Sequence, residues 1–352
     1  MTAPPGGRDG WQPTPEQELL VAVAFGDHDQ ASEAFERWVA ATGFDVIDDE
    51  SFQVLPLVAH HLDELGVETP QTPRLRGILR RNWLEHQMVL QTTVPALEAL
   101  QAAGIDPVVQ QGAALAHLAY TSPALRPVRQ LDLLVRDDRT DDALATLGAH
   151  GWRIGDTGAG RAPARGLSFR MRTTLDGVPL TRGSADGADD GHGAHGVHLR
   201  WHATDAALWR GADDGMWAST RPCRVAGTEA LALRTEDELL VTCLTGARWH
   251  PVPRVHWVVD AITLVRHGDC SWDAVGARAE ELHVEAQLAP ALTMLAERFA
   301  VPVPEALLAP MSARRASRGE RARLAALRGE RDSRWLPARL GRVRRAFRPR
   351  GD

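Results

Sequence analysis

The residues with the clearest chemical potential lie between Val108 and Val135. A short apolar strand there runs into Gln110-Gln111-Gly112, and an alanine- and leucine-rich helical pattern follows from Ala113 to Tyr120. The N–H groups at such a helix start are unpaired and lie at the positive end of the helix dipole. The pattern around Gly112 therefore predicts a position that could receive a phosphate.

A second strand pattern follows at Leu131–Val135. Side chains alternate between the two faces of a strand, so Gln130 and Asp132 project together. Two carboxylates at this spacing would suit a metal ion. Here only one of the two residues is acidic, and the predicted site is short of negative charge.

The same segment resembles an uncharacterised nucleotidyltransferase family of the polymerase-beta-like superfamily. The core of that family reads approximately K-G-x-A, a Tyr, R-P, and D-x-D before an apolar strand. This chain has Gln111-Gly112-Ala113-Ala114, Tyr120, Arg126-Pro127 and Gln130-Leu131-Asp132 at those places. Further matches are Val197–Trp201 to V-D-L-H-W, 245–250 to H-G-x-x-H, and Trp257–Asp260 to W-x-x-D, so the likeness spans residues 15 to 310.

The resemblance implies an α+β fold, with a small mixed nucleotidyltransferase-type sheet flanked by helices and with helical N- and C-terminal regions. It also implies transfer of NMP from an NTP to an acceptor, with Mg²⁺ held by three carboxylates. Those carboxylate positions fall on Gln130, Asp132 and His198 here. The positions expected to contact the nucleotide are Gln111, Gly112, Ala113 and Arg126.

Only Asp132 keeps the expected carboxylate and is the predicted metal ligand. Gln130 lacks the negative charge of an aspartate, and His198 is a poor ligand for a hard cation such as Mg²⁺. Gln111 also replaces a lysine of the family pattern. We therefore predict a degenerate active site, a pseudoenzyme with weak or no transfer. If the chain is active with altered ligands, its cofactors are Mg²⁺ and an NTP. The alternative is a non-catalytic nucleotide-binding or scaffold protein in a biosynthetic pathway.

Several other patterns leave alternatives open. His192, His195, His198 and His202 are crowded as in a transition-metal site, but they equally fit a loop followed by an exposed strand face. The Gly/Asp-rich stretch 183–196 lacks the spacing of a calcium loop and is typical of a flexible hairpin connection. Arg126 could reach a triphosphate or brace its own loop against a carboxylate.

Composition narrows the class of protein. The chain has 352 residues and no lysine, which excludes Walker-type phosphate loops and Schiff-base chemistry. Its 3 cysteines form no C-x-x-C pair, and no apolar run is long enough for a membrane span or arranged as a secretion signal. These features favour a cytoplasmic protein in a reducing compartment.

The chain divides by pattern into four parts: a helical N-terminal region at 1–95, a nucleotidyltransferase-like core at 96–215, a helical C-terminal region at 216–311, and an arginine-rich tail at 312–352. Capping boxes are predicted at Thr14 and Thr235. Beyond the core unit, strands are predicted at Leu167–Thr173, Val178–Thr181 and Val197–His202.

The tail differs from the rest of the chain in charge. From residue 312 onward it has fourteen arginines against four acidic residues, a net charge of +10, whereas the preceding residues carry −16 of the total −6. This asymmetry predicts contact with an anionic partner or a membrane surface, or packing of the tail on its own acidic body.

Overall fold

A computed structural model of the chain describes residues 10–155, 169–182, 195–268, 270–316 and 318–327. They form helices around one seven-stranded sheet. The helices are α1 (Pro15–Phe25), α2 (His28–Thr42), α3 (Asp49–Phe52), α4 (Leu55–Glu64), α5 (Thr72–Ala102), α6 (Gln111–Leu118), α7 (Thr140–Ala149), α8 (Phe169–Thr174), α9 (Asp214–Ala218), α10 (Thr235–Gly246), α11 (His256–Arg266), α12 (Trp272–Glu281), α13 (Glu285–Phe299), α14 (Glu305–Ala313) and α15 (Arg318–Leu327). The strands are β1 (Val108–Gln110), β2 (Gln130–Leu134), β3 (Trp152–Ile154), β4 (Gly177–Arg182), β5 (Gly196–Arg200), β6 (Arg221–Val225) and β7 (Thr228–Ala232).

The sheet is mixed, with the strand order β3-β4-β5-β2-β1-β7-β6. β1 runs parallel to β7 and antiparallel to β2, which in turn runs parallel to β5. One edge of the sheet is therefore the place where β1 and β7 end and where β2 and β5 begin. The predicted α+β class with a mixed sheet and helical terminal regions is confirmed.

The two faces of the sheet have different surroundings. On one face, Val109, Leu131 and Leu133 belong to an apolar core shared with α5 and α7. On the other face, Val108 and Leu134 join a larger core that includes α1, α2, α4 and α10 to α13. Because neighbours along a strand alternate between faces, the second face also carries Gln110 and Asp132.

Helix starts show where local sequence signals hold. At α1, Gln17 N–H donates to Thr14 Oγ1 at 3.2 Å and Thr14 N–H donates to Gln17 Oε1 at 3.1 Å, which confirms the predicted capping box. The box predicted at Thr235 is wrong, because the N-cap of α10 is Arg234 and no side chain caps this helix. Glu238 is buried and serves a different purpose, described below.

Other local predictions need correction. The stretch predicted as a strand at 167–173 contains helix α8, and β5 ends at Arg200 rather than at His202. The β6–β7 hairpin was not predicted. The predicted loop at 183–196 falls mostly outside the described residues, and the strands on either side of it, β4 and β5, pair antiparallel.

The predicted division at residues 95 and 215 stays a prediction, and two observations bear on its limits. Helix α5 continues across residue 95, and the β6–β7 hairpin completes the sheet from beyond residue 215. Within the described residues, no helix combines the length and apolar character that a membrane span requires.

Candidate functional site

Strand register places three polar residues in one row on the second face of the sheet. Gln110 of β1 lies opposite Asp132 of β2, and Asp132 lies opposite His198 of β5. Residues paired in this way point to the same side of a sheet. Gln130, Asp132 and His198, the three positions implied for the metal site, are therefore brought together.

The carboxylate of Asp132 is already occupied by hydrogen-bond donors. Gln130 Nε2 lies 3.2 Å from each of its two oxygens, and Arg200 Nε donates to Oδ1 at 3.0 Å. His198 Nδ1 is 3.8 Å from Oδ1. Asp132 is only 3% exposed, so little of this charge is left to solvent.

Arg200 is the residue that sequence reasoning missed. It lies two residues after His198 on β5, hence on the same face, and its guanidinium donates to both Asp132 and Asp176. Burial lowers the pKa of Arg200, but the carboxylates of Asp176 and Asp132 more than offset this effect and hold the pKa above its usual value. The site thus contains a permanent, internal cation.

These residues do not fit Mg²⁺, the metal that the family implies. Mg²⁺ prefers several oxygen ligands in near-octahedral geometry. Here the single carboxylate is bonded to an arginine, and the two neighbouring positions are an amide and an imidazole. A dication at this place would also be repelled by the guanidinium 3.0 Å from Asp132 Oδ1.

His198 is neutral in this environment. Burial lowers its pKa, as does the cation of Arg200, against the opposing effect of Asp132 and Asp176. Its Nδ1 lies 3.4 Å from the amide nitrogen of Gln130, which can only donate. The proton of the neutral ring is therefore on Nε2.

The start of α6 is capped by a buried acid. The N–H of Gln111 donates to Glu238 Oε1 at 2.7 Å, and Gln111 itself has a left-handed φ of 56°. Burial, with the charges of Asp260 and Asp132 adding to it, raises the pKa of Glu238 to about 8. The position predicted to receive a phosphate from this N–H is filled by a carboxyl group that is mostly protonated at neutral pH.

Arg126 braces its loop and does not stand free in the cleft. Its Nε and Nη2 donate to the two oxygens of Asp260 at 3.1 and 2.9 Å, and Tyr120 Oη donates to Oδ1 at 2.7 Å. Gly112 faces this arginine, since a Cβ added there would lie 3.6 Å from Arg126 Nη1. Ala113, the fourth position implied for nucleotide contact, is fully buried in the apolar core.

The histidine cluster does not converge. His202 Nδ1 pairs with Asp213 at 3.0 Å, away from the polar row, while His198 contacts Gln130. His192 lies outside the described residues. No group of three or more metal-ligating side chains forms within the described residues.

The downstream matches have mainly structural contacts. His250 Nδ1 is 2.6 Å from the carbonyl of Val252, whereas Asp260 closes the cleft through Arg126. Trp201 and Trp257 are both almost fully buried, as expected of core anchors.

A mixed sheet flanked by helices, with a helix leading directly out of β1 beside a polar row, is the arrangement of a nucleotidyltransferase-like protein. Residues 50–300 match the sequence profile of a family described as uncharacterised nucleotidyltransferase, and the chain belongs to that family. The predicted family is thereby confirmed. A similar solved structure is an antigenic nucleotidyltransferase-like protein from Paracoccidioides brasiliensis, with 15% identity and a TM-score of 0.35, covering 67% of this chain and 96% of that chain. No curated protein is significantly similar to this chain.

Proposed function

We propose that this protein is a non-catalytic member of its family, one that uses the nucleotide cleft for binding and does not carry out metal-dependent NMP transfer. The observation that carries the proposal is the hydrogen bond of 3.0 Å from Arg200 Nε to Asp132 Oδ1. It places a fixed positive charge on the one carboxylate available for a metal. Membership of a nucleotidyltransferase family implies a nucleotide as the bound ligand.

The internal pairs support the same conclusion. In a transferring enzyme, free cations and helix N–H groups hold the triphosphate, and metal ions neutralise the charge that develops. In this cleft Arg200 is bonded to Asp132 and Asp176, Arg126 is bonded to Asp260, and the Gln111 N–H is bonded to Glu238. The groups expected to act on phosphate already have partners within the protein.

The direct test is NMP transfer from α-labelled NTPs, with Mg²⁺ and with Mn²⁺, followed as label on protein or added acceptors and as released pyrophosphate. We expect no transfer above background, and the same background for Asp132→Ala and for the exposed control Asp138→Ala. Turnover that is abolished by Asp132→Ala and kept by Asp138→Ala would contradict the proposal.

Metal titration tests the role of Arg200 separately. Gln130→Asp with His198→Asp should not create a tight Mn²⁺ site by itself, because the guanidinium stays on Asp132. Adding Arg200→Gln removes that charge, and we expect Mn²⁺ affinity to rise at least tenfold in calorimetry or electron paramagnetic resonance. Equal affinities in the double and triple variants would show that Arg200 does not block a metal.

A further inference from the structure

Uncharged polar groups without hydrogen-bond partners gather at the end of β1. Gln110 is 0% exposed, yet neither atom of its side-chain amide has a partner within the described residues. In the same part of the structure, Gln111 Nε2, Glu238 Oε2 and His198 Nε2 are also buried and unpartnered. Because buried polar groups are normally hydrogen-bonded, this cluster points to a ligand.

The hydrogen-bonding character of the cluster can be assigned group by group. Gln110 offers one donor and one acceptor side by side, and Gln111 Nε2 donates. Glu238 Oε1 accepts from Gln111 N–H, and the other oxygen carries the proton in the neutral acid. His198 Nε2–H is a donor, because Nδ1 faces the amide nitrogen of Gln130.

The same cluster is unsuited to a triphosphate. The nearby guanidinium groups of Arg126 and Arg200 are bonded to Asp260 and to Asp132, and the Gln111 N–H is capped by Glu238. The unpartnered groups are neutral and contribute mainly donors. Their natural complement is an uncharged ring with carbonyl acceptors and one N–H.

We infer that the cleft binds the keto nucleobase of a nucleoside, of the uracil or guanine type, through Gln110, Gln111, Glu238 and His198, without metal and without contact to a triphosphate. This inference rests on the proposed function and names the part of the nucleotide that is recognised. A lactam edge, N–H beside C=O, pairs with the Gln110 amide through two hydrogen bonds. The remaining donors suit a second carbonyl or ring nitrogen. His198, whose side chain is 21% exposed, marks where the row meets solvent.

The test is calorimetric titration of the full chain, in EDTA, with uridine, guanosine, adenosine, cytidine and the four triphosphates. We expect uridine or guanosine to bind within tenfold of its own triphosphate, more tightly than adenosine or cytidine, and with no change on adding Mg²⁺. Gln110→Leu should weaken that binding at least tenfold. The matched control Gln91→Leu, on the exposed side of α5, should leave it unchanged.

Folding and binding can be separated in this experiment. Gln110→Leu removes a buried amide that has no partner, so its melting temperature should equal or exceed that of the unchanged protein. A second variant, Glu238→Gln, keeps an acceptor toward Gln111 N–H and a donor toward the ligand. It should retain binding at pH 9, where the unchanged protein loses the acid proton and binds several-fold more weakly.

The outcomes that overturn the inference differ from those that overturn the proposed function. Nucleoside binding that is absent, that requires metal or the triphosphate, that favours adenosine or cytidine, or that is unaffected by Gln110→Leu would sink the inference and would mean that ordered water alone satisfies these groups. The proposed function would still stand in those cases. Metal-dependent transfer would overturn the proposed function whether or not nucleosides bind.

Discussion

Glu238 is an acidic side chain whose surroundings disfavour its charge. It is buried on α10, near the carboxylates of Asp132 and Asp260, and its only assigned hydrogen bond is the one from Gln111 N–H. Sequence reasoning assigned this glutamate to a capping box, because Thr235-Glu236-Asp237-Glu238 has that spacing. The long-range contact to Gln111, 127 residues away, leaves no local signal.

The other site residues were predictable to different degrees. The x-D-x alternation on β2 was sufficient to place Gln130 beside Asp132, and the family pattern supplied His198. Arg200 could have been found, because it shares the strand face of His198. What sequence could not supply was the register between β2 and β5, which sets Asp132 opposite His198 and within reach of Arg200.

The raised pKa of Glu238 gives a prediction about stability and pH. The folded protein holds this proton up to about pH 8, whereas the unfolded chain releases it near the ordinary value of 4.5. The contribution of this group to stability is therefore complete below pH 4.5 and is lost as pH rises through 8. The slope of the free energy of unfolding reaches at most about 1.4 kcal/mol per pH unit.

Glu238→Gln should remove this dependence, because a neutral amide does not titrate. We expect urea denaturation between pH 5 and 9 to show a flatter curve for the variant, and a stability advantage over the unchanged protein that grows above pH 7. Parallel curves for the two proteins would show that Glu238 is ionised in the folded state.

At the scale of elements, close contact between α10 and α11 fixes the helices that carry Glu238 and Asp260. Gly246 near the end of α10 lies against Trp257 of α11, so that a Cβ at residue 246 would come within 2.1 Å of the indole Cγ. Trp257 is buried in the larger core and cannot move aside easily. The absence of a side chain at Gly246 is therefore required for this helix pair.

Gly246→Ala should destabilise the protein, by about 1–3 kcal/mol as expected for overpacking of a core. Gly148→Ala is the matched control, since it lies in α7 with no atom near the added Cβ and should stabilise that helix by about 0.5–1 kcal/mol. Thermal unfolding of both variants measures the difference. An unchanged melting temperature for Gly246→Ala would mean that α11 shifts without cost.

Element prediction succeeded where the periodic pattern was long and failed where it was short. The helical patterns at Phe35–Ala41, Leu55–Leu65 and 75–103 correspond to α2, α4 and α5. The short strands β3, β6 and β7 were missed because a few residues, one of them Pro222, do not give a clear alternation. Pairing with neighbouring strands, a tertiary effect, stabilises them.

At the scale of the whole molecule, charge is distributed unevenly along the chain. Residues 328–352, beyond the last described helix, contain nine arginines and three acidic residues. The contact of this segment with an anionic partner stays a prediction. Such contact depends on the release of counterions and weakens steeply with salt.

Removing residues 328–352 should abolish salt-dependent retention on an anionic matrix such as heparin. The full chain should elute at higher salt than the shortened chain, by a margin that disappears when the arginines of this segment are replaced by glutamine. Equal elution of the full and shortened chains would favour a tail that packs on its own acidic body.

Both edges of the described sheet are poor templates for another strand. At one edge, β6 has the exposed Pro222, which offers no N–H, between Arg221 and Cys223. At the other, β3 has only three residues. Long rows of free donors and acceptors are what recruit strands from other molecules. The described sheet does not present such a row to a second copy, which disfavours the lateral stacking that leads to fibrils at high concentration.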